Sequence, residues 1–321
     1  MKAITCRRYG PPEVLQMEDV EKPIPADDEV LIKLHAATVF TGDCEMRGFK
    51  FPISFWLPLR LFIGILRPKR PILGQEFSGV VEAIGKDVTR FAVGDAVFAA
   101  SGGWGAYAQY ICLSEDKPMV HKPENITHEA AATVPTGGLN ALHFVRKADL
   151  KPGQKILING AGSSIGTMAV QLAKAAGAEV WAVDCAIKLD MLRAISADHV
   201  IDYTREDFTK NDVTFDAILD VVGKSHFSRC LRALTPDGRY LLANPRIIPM
   251  LRGVWTNKTS TQKVMFALAG EKLEDVQHLA DLLADGTLKP VIDRHFALED
   301  MVAAHRYVET GQKIGNVVIT F

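Results

Sequence analysis

A glycine-rich stretch between two apolar runs is where the chemistry of this sequence begins. Residues 156–184 read ILINGAGSSIGTMAVQLAKAAGAEVWAVD, which is a β-like run, a turn, an amphipathic helix and a second β-like run ending in Asp184. A dinucleotide site needs a tight turn, a backbone that approaches the pyrophosphate, and a helix whose free N–H groups and dipole meet the phosphates. The order of elements here predicts such a site.

The glycines of this turn do not follow the usual dinucleotide spacing. The G-x-G-x-x-G pattern would place glycines at positions 160, 162 and 165, but position 165 is Ile and the third glycine is Gly166. The motif is weak alone and gains weight from its place between a strand and a helix. We predict that the cofactor is bound by Gly160, Ala161, Ser163, Ser164, Ile165 and Gly166.

The acid at the end of the second strand bears on the choice of nucleotide. Asp184 follows Gly166 at about the distance usual for a carboxylate that hydrogen-bonds the adenosine ribose. A carboxylate would repel a 2′-phosphate, which favours NAD, whereas Lys188 could pair with that phosphate. A solvated Asp184 that points away is a further alternative. The prediction is NAD(P)H with a slight preference for NAD.

The pattern of the chain changes between its first and middle parts. The first 123 residues contain short β-branched runs with turn residues at their ends, which predict a mostly β domain: EVLIKLHAATV (29–39), GVVEAIG (79–85) and GDAVFAA (94–100). From 139 to about 245, apolar strands alternate with helical patterns, which predicts a doubly wound parallel sheet. The final run, KIGNVVITF (313–321), is a strand that periodicity does not assign to either domain.

Length, charge and cysteine usage narrow the class of protein. A chain of 321 residues suggests two domains, and a net charge of −1 gives no general attraction to nucleic acid. The five cysteines are scattered, which fits a reducing compartment and leaves no clustered thiolates for a structural zinc lobe. The opening MKAITCRRYG predicts a first strand rather than a signal peptide. We therefore expect a cytoplasmic protein.

One apolar segment stands apart from this pattern. Residues 51–66, FPISFWLPLRLFIGIL, are interrupted by Pro52, Pro58 and Arg60. A membrane-spanning helix needs about 20 apolar residues, so no transmembrane segment is predicted. Three interpretations stay open: a lid over an apolar substrate cleft, an oligomer contact, or peripheral contact with a membrane.

Several longer stretches resemble the medium-chain dehydrogenase/reductase superfamily, in its zinc-free quinone oxidoreductase-like branch. The resemblance covers nearly the whole chain and rests on six stretches: 72–99, 105–110 (GAYAQY), 128–142, 197–203 (ADHVIDY), 215–223 (FDAILDVVG) and 289–321. It implies an α/β protein with a GroES-like, mostly β domain at 1–123 completed by 269–321, and a Rossmann domain at 124–268. It also implies a homodimer.

The resemblance sharpens two questions about the site. The branch usually reads A-x-x-G-x-x-G at the turn, so Ser163 stands where a glycine is expected and Gly162 lies one place early. A serine there would crowd the phosphates or need a positive φ, although a hydroxyl can also bond phosphate. We expect binding that is weaker than usual, and a closed site is the alternative.

The second question concerns zinc. The G-H-E motif of zinc-dependent relatives is replaced by Gly74-Gln75-Glu76. In the first-ligand region, VFTGDCEMRG (39–48), Asp43 follows a T-G pair and Cys44 lies one place off the ligand position. Glutamine is a poor zinc ligand, so no metal is expected. Without a Lewis acid, reduction of a small hydrophobic electrophile such as a quinone or an α,β-unsaturated carbonyl is favoured over alcohol oxidation.

Further site residues follow from the matched positions alone. The resemblance assigns the following residues to the cofactor: Thr136, Asn140, Tyr203, Val222, Gly223 and Asn316. Thr41, Asp43 and Trp104 are candidates for the substrate cleft, with turn or core roles as the alternative. The catalytic residue is not predicted.

Two other functions remain open from the sequence. One is a zinc-dependent alcohol dehydrogenase with atypical ligands. The other is a non-catalytic nucleotide-binding protein that senses redox state or binds a partner or membrane through 51–66.

Overall fold

The chain folds into two compact units. The computed structural model describes residues 1–102, 104–244, 246–266 and 269–321. The first unit is formed by Met1–Thr136, Glu271–Asp285 and Pro290–Phe321, and the second by Gly137–Gly270 and Gly286–Lys289. The predicted domain limits at 123/124 and 268/269 stay a prediction, and position 268 lies outside the described residues.

The first unit is built mainly from strands. Its strands are β1 (Lys2–Cys6), β2 (Leu15–Asp19), β3 (Glu29–Thr38), β4 (Glu76–Ile84), β5 (Ala96–Ala100), β6 (Tyr110–Ser114), β7 (Met119–His121), β14 (Ile292–Ala297) and β15 (Asn316–Thr320). Its helices are α1 (Thr41–Gly48), α2 (Ile53–Ile63), α3 (His128–Ala132), α9 (Leu273–Ala284) and α10 (Met301–Glu309). The predicted mostly β character of this part of the chain is confirmed.

A seven-stranded sheet organises this unit. Its order is β14-β15-β3-β4-β5-β7, and β6 pairs with β3, while β1 and β2 form a separate hairpin. Strand β15 pairs antiparallel with β3, Val318 opposite Thr38, so the C-terminal strand belongs to this sheet. Alternate residues of β3 and β4 face one core, in which Ile32 and Phe77 are fully buried.

The second unit carries a parallel sheet with helices. Its strands are β8 (Lys155–Asn159), β9 (Glu179–Asp184), β10 (His199–Asp202), β11 (Phe215–Asp220), β12 (Leu234–Leu242) and β13 (Lys263–Met265). Its helices are α4 (Pro135–Ala148), which starts in the first unit, α5 (Ser164–Ala175), α6 (Leu189–Ala194), α7 (Phe227–Arg232) and α8 (Ile247–Thr259).

The strand order of this sheet determines where a ligand can bind. All neighbours are parallel in the order β10-β9-β8-β11-β12-β13, which is the Rossmann arrangement. The order reverses between β8 and β11, and ligands bind beyond the carboxyl ends of strands at such a reversal. The predicted doubly wound sheet is thus confirmed.

The apolar segment 51–66 contains helix α2 and the turn that follows it. Pro58 lies inside this helix, and Gly64 ends it. Within the described parts of the chain, no helix is long and apolar enough to cross a membrane.

Candidate nucleotide and acceptor site

The turn after β8 requires glycine at two of its positions. Gly160 has a φ of 85°, and a Cβ there would lie 2.6 Å from Val222 Cγ2. A Cβ on Gly166 would lie 2.3 Å from the carbonyl oxygen of Gly160. Because Gly160 and Val222 follow β8 and β11, the two loops touch at the switch point. The turn therefore has the tight geometry and following helix that a pyrophosphate needs.

Ser163 caps helix α5 rather than crowding the turn. Its φ is −87°, and its Oγ accepts a hydrogen bond of 3.0 Å from the Gly166 N–H. The expectation that a serine here would need a positive φ is therefore wrong. The reason is that Ser163 is the N-cap, a position where serine is preferred because it satisfies an N–H group left unpaired at the helix start.

Compared with the usual pattern of the branch, serine stands at 163 and glycine stands one place earlier, at 162. This glycine lies beside Lys188. A Cβ on Gly162 would lie 2.5 Å from Lys188 Cδ and 3.0 Å from Asp184 Oδ2. The Gly162 N–H donates a hydrogen bond of 2.8 Å to the same Asp184 oxygen. Glycine at position 162 thus lets the turn lie against the side chain of Asp184.

Asp184 and Lys188 form a buried ion pair next to the turn. Lys188 Nζ lies 3.1 Å from Asp184 Oδ1, and both residues are 5% exposed. Asp184 Oδ1 also accepts the Cys185 N–H at 2.9 Å. The alternative of a solvated Asp184 pointing away is therefore wrong, because burial and these donors hold the carboxylate against the turn.

A buried carboxylate that sequence reasoning missed holds the loop after β11. Asp220 Oδ1 accepts hydrogen bonds from Asn159 Nδ2 at 3.0 Å and from the Gly223 N–H at 2.9 Å. Its Oδ2 accepts from Tyr240 Oη at 3.1 Å and from the Ser225 N–H at 3.3 Å. Asp220 fixes the loop that carries Val222 and Gly223. The sequence signal that could have identified Asp220 is its position at the end of a strand at the switch point.

In the first unit, a buried network surrounds Asp43 of helix α1. Its Oδ1 accepts a hydrogen bond of 3.2 Å from Gln75 Nε2, and its Oδ2 accepts bonds of 2.9 Å from Tyr107 Oη and from the Phe40 N–H. Gly74, with a φ of 101°, lets the chain pass Tyr107, since a Cβ there would lie 2.7 Å from the ring. Tyr107 lies in the GAYAQY stretch but was not predicted as part of the site.

Burial changes the acidity of this network. Desolvation raises the pKa of Asp43 to about 6, although the hydrogen bonds from Phe40, Tyr107 and Gln75 oppose the shift. Burial also raises the pKa of Tyr107 well above its ordinary value, and the Asp43 charge adds to this. Both residues have no exposed surface. The hydrogen-bonded pair of Asp43 and Tyr107 therefore stabilises the start of α1, and neither side chain is accessible to solvent.

A second buried carboxylate joins the neighbouring strand to helix α4. Glu76 accepts hydrogen bonds from the Thr38 hydroxyl and, at 2.6 Å, from the Thr136 N–H. Desolvation raises its pKa to about 7. Thr136, predicted at the cofactor, is therefore held in place by Glu76.

The same fold and pattern occur in known proteins. The family model described as "Alcohol dehydrogenase GroES-like domain" matches residues 26–124, and the one described as "Zinc-binding dehydrogenase" matches residues 195–319. The chain is 30% identical to "2-methylene-furan-3-one reductase" of Solanum lycopersicum, covering 99% of this chain and 79% of that protein. The chain belongs to the zinc-free quinone oxidoreductase-like branch of the medium-chain dehydrogenase/reductase superfamily. The predicted family is confirmed.

Two further similarities extend over almost the whole chain. The "Quinone oxidoreductase" of Pseudomonas aeruginosa is 30% identical, covering 99% of each protein. The solved structure of the quinone oxidoreductase from Coxiella burnetii has a TM-score of 0.88 and 30% identity, covering 100% of this chain and 99% of that one. As a member of this family, the chain is an NAD(P)H-dependent oxidoreductase.

The remaining predicted residues are dispersed around the two halves of this medium-chain reductase. In the second unit, Asn140 is half-buried in α4, while Tyr203 is 59% exposed and donates its backbone N–H to the Asp184 carbonyl at 3.2 Å. A Cβ on Gly137 would lie 2.9 Å from the Ser164 carbonyl oxygen, so the start of α4 lies against that of α5.

The predicted cleft residues of the first unit have different exposures. Thr41 is exposed at the first position of α1, whereas Asp43 is buried. Trp104 is half-buried, and its indole N–H has no partner among the described residues. Asn316, which was predicted at the cofactor, starts β15, and its buried Oδ1 also lacks a partner in the described part of the chain. Among the described residues, no contact joins Thr41, Trp104 and Asn316 to Asp43 in one cluster.

The described residues contain no group of three or more His, Cys, Asp and Glu side chains placed to hold a metal ion. Gln75, which stands in place of the histidine of the G-H-E motif, donates an N–H hydrogen bond to Asp43. A donor hydrogen facing a carboxylate is the opposite of the lone pair that a metal requires. The residues around Asp43 therefore do not fit a zinc ion.

Proposed function

We propose that this protein is a zinc-independent NAD(P)H-dependent oxidoreductase that reduces a quinone or an α,β-unsaturated carbonyl compound. The observation that carries the proposal is the hydrogen-bonded network of Asp43, Gln75 and Tyr107. Both carboxylate oxygens of Asp43 are bound by protein donors, so the network is complete without a metal. A site of this kind suits acceptors that are already electron-poor, because they need no Lewis acid.

The chain's own residues supply binding and orientation. When bound, the nicotinamide supplies a hydride to the acceptor. The turn from Gly160 to Gly166 would hold the pyrophosphate at the start of α5, as the close approach of both glycines supports. Asp220 keeps the loop with Val222 and Gly223 in place beside it. Asn140, Thr136 and Asn316 are proposed to position the nicotinamide.

The acceptor is proposed to bind beside helix α1. Thr41 is exposed at the start of that helix. Asp43 accepts a hydrogen bond from the Phe40 N–H, three residues earlier in the chain, and so fixes the first turn. We assign the Thr41 hydroxyl to the acceptor's carbonyl oxygen, with Asp43 and Tyr107 as positioning residues and Trp104 as an apolar wall. The tomato relative is named for 2-methylene-furan-3-one, a ring ketone conjugated to a methylene group, which is an electrophile of this type.

For the nucleotide we propose a slight preference for NAD over NADP. Asp184 keeps a carboxylate at the adenosine end, which disfavours a 2′-phosphate. The buried ion pair with Lys188 offsets that charge, so the discrimination between the two nucleotides is expected to be small.

The assembly is proposed to be a cytoplasmic homodimer. Strand β13 pairs with β12 on one side only within the described residues, so its other edge is open to a second copy. Leu251 and Trp255 of the adjacent helix α8 are exposed apolar side chains that would be covered by the same contact. Sedimentation of the purified protein with and without Trp255→Glu tests this arrangement.

The test of function starts with nucleotide binding and then adds acceptors. Purified protein is titrated with NADH and, separately, NADPH while nicotinamide fluorescence is followed. Oxidation of the better nucleotide is then measured with a panel of quinones and enones, before and after dialysis against a chelator. We expect binding, turnover with at least one acceptor class, and unchanged turnover after chelation.

Three results would contradict the proposal in different ways. Turnover that disappears with chelator and returns with zinc would establish a zinc-dependent dehydrogenase with atypical ligands. Nucleotide binding without turnover on any acceptor would favour a non-catalytic sensor. Absence of any nucleotide binding would show that the turn is closed.

A further inference from the structure

Helix α2 and the turn after it expose a continuous run of large apolar side chains. Their exposed fractions run from 57% to 88%, and they are Ile53, Leu57, Leu61, Phe62, Ile65 and Leu66. Trp56 adds a ring that is 41% exposed. We call this set the α2 patch. Single exposed apolar residues are ordinary, but a run of this size marks an interaction surface.

The α2 patch is held in shape by polar contacts beneath it. The Arg60 guanidinium lies 4.3 Å from the Tyr9 ring centre and 3.9 Å from that of Phe49, and its Nη1 donates to the Ile65 carbonyl at 2.6 Å. Lys69 Nζ donates to the Leu61 carbonyl at 2.8 Å. The apolar side chains are therefore presented by a fixed helix and turn.

The charged residues of the stretch that carries the patch have one sign. No Asp or Glu occurs from Met46 to Gln75, whereas this stretch contains six Lys and Arg residues. Arg67, Lys69 and Arg70 are exposed and take part in no ion pair with any residue that the structure describes. An apolar face bordered by cations that have no acidic partner selects a partner that is both apolar and anionic.

A second copy of the chain is a poor partner for this surface. Symmetric contacts bring the same patch of each copy together. Because residues 46–75 contain no Asp or Glu, the same patch on a second copy offers no anion to Arg67, Lys69 and Arg70. An uncharged acceptor beneath a lid would likewise not need the cations.

We propose that the α2 patch binds the surface of an anionic lipid bilayer. Helix α2 has 11 residues, about 16 Å at 1.5 Å per residue, and so lies in the plane of the interface rather than across it. Leu61, Phe62 and Leu66 enter the boundary between headgroups and acyl chains, while the cations contact anionic headgroups. This inference does not rest on the proposed enzymatic function.

The experiment measures association of the full chain with vesicles. The wild-type protein is sedimented with vesicles of phosphatidylcholine alone and with vesicles containing phosphatidylglycerol, at low and at high salt. We expect binding to the anionic vesicles that is at least tenfold stronger than to the neutral ones and weakens as salt rises. Equal binding to both vesicle types, or none to the anionic ones, would overturn the proposal.

Matched variants separate the patch from general stickiness. Leu61→Glu with Leu66→Glu places charge in the patch and is expected to abolish binding. The control is Ile24→Glu, a residue 85% exposed in the same unit but outside the patch, which should bind like the wild type. Arg67→Gln with Arg70→Gln should lose the preference for anionic lipid. Melting temperatures confirm that each variant is folded.

Two further readouts identify the occupant. Lipids brominated on their acyl chains should quench Trp56 fluorescence, so Trp56→Phe should lose quenching that Trp255→Phe retains. Unchanged quenching in Trp56→Phe would contradict insertion. A change of sedimenting mass without lipid in the Leu61→Glu, Leu66→Glu variant would show instead that a second copy covers the patch.

Discussion

The hydroxyl of Tyr107 donates a hydrogen bond of 2.9 Å to Asp43 Oδ2, and neither side chain has exposed surface. The two residues are 64 positions apart in the chain. Gln75 and the Phe40 N–H complete the set of donors. A buried carboxylate is costly unless donors surround it, so each of these partners affects the stability of helix α1 and the position of Thr41.

Tyr107→Phe should therefore lower stability and catalysis together. The change leaves a buried carboxylate oxygen with one donor fewer, which costs about 1–3 kcal/mol of unfolding free energy. We also expect the pKa of Asp43 to rise further. Denaturant unfolding and the pH profile of kcat/KM measure the two effects. Tyr110→Phe, in a half-buried tyrosine outside the network, is the control; equal losses in both variants would contradict a specific role for Tyr107.

The two required glycines of the turn give a prediction about nucleotide affinity. Gly166→Ala would place a Cβ 2.3 Å from the Gly160 carbonyl oxygen, so the turn must shift and nucleotide binding should weaken by about tenfold or more. Gly270→Ala is the matched control, because a Cβ there meets nothing within 4 Å. Titration with NADH measures both. Unchanged affinity in Gly166→Ala would show that the turn does not hold the nucleotide.

Ser163 should matter for helix stability more than for steric fit. Ser163→Ala removes the cap of α5 and should cost about 1 kcal/mol of unfolding free energy, whereas Ser163→Gly should cost only a few tenths. Nucleotide affinity is expected to be similar in wild type and Ser163→Gly. A large gain in affinity for the glycine variant would revive the view that serine crowds the phosphates.

The ion pair next to the turn predicts how nucleotide preference can be shifted. Lys188→Gln leaves the Asp184 charge uncompensated and should weaken NADPH binding about tenfold relative to NADH. Asp184→Asn should shift the preference the other way. Parallel fluorescence titrations with both nucleotides give the ratio for each variant. The assignment fails if neither change alters that ratio.

Glu76 predicts a pH dependence of stability. Its pKa, raised to about 7 by burial, lies above the ordinary value, so the folded chain binds this proton more tightly than the unfolded chain. Stability therefore falls as pH rises from the ordinary carboxyl pKa through about 7, and stays lower above it. Glu76→Gln removes the charge while keeping an acceptor for the Thr136 N–H. Its melting temperature should vary less than that of the wild type between about pH 4.5 and pH 7. Parallel curves would contradict this.

Many strands and helices of the fold were predictable because each is specified by a short stretch of sequence. The run 29–39 became β3, Glu29–Thr38, and KILING became β8, Lys155–Asn159, since alternation and turn residues fix such elements locally. Strand β13 was not predicted, because three residues carry too little pattern. In FDAILDVVG the strand ends at Asp220, where the side chain turns to bind the following loop.

The site divides in the same way. The nucleotide turn could be located because its residues are adjacent in sequence. The partners of Asp43 could not, since Tyr107 reaches it only through the folded sheet. The role of Ser163 was misjudged because a position in a motif was given the conformation of the usual glycine, whereas the cap geometry depends on where α5 begins.

The pairing of β15 with β3 has a consequence for how the protein is made. Roughly 280 positions separate Val318 from its partner Thr38, and synthesis at about 5–20 residues per second takes tens of seconds to add them. Until β15 has been synthesised, β3 lacks this neighbouring strand. The six strands of the second unit are synthesised before β15 and can already pair. We expect the nucleotide-binding unit to fold first on the nascent chain, leaving β3 and its sheet as the stretch that chaperones must protect.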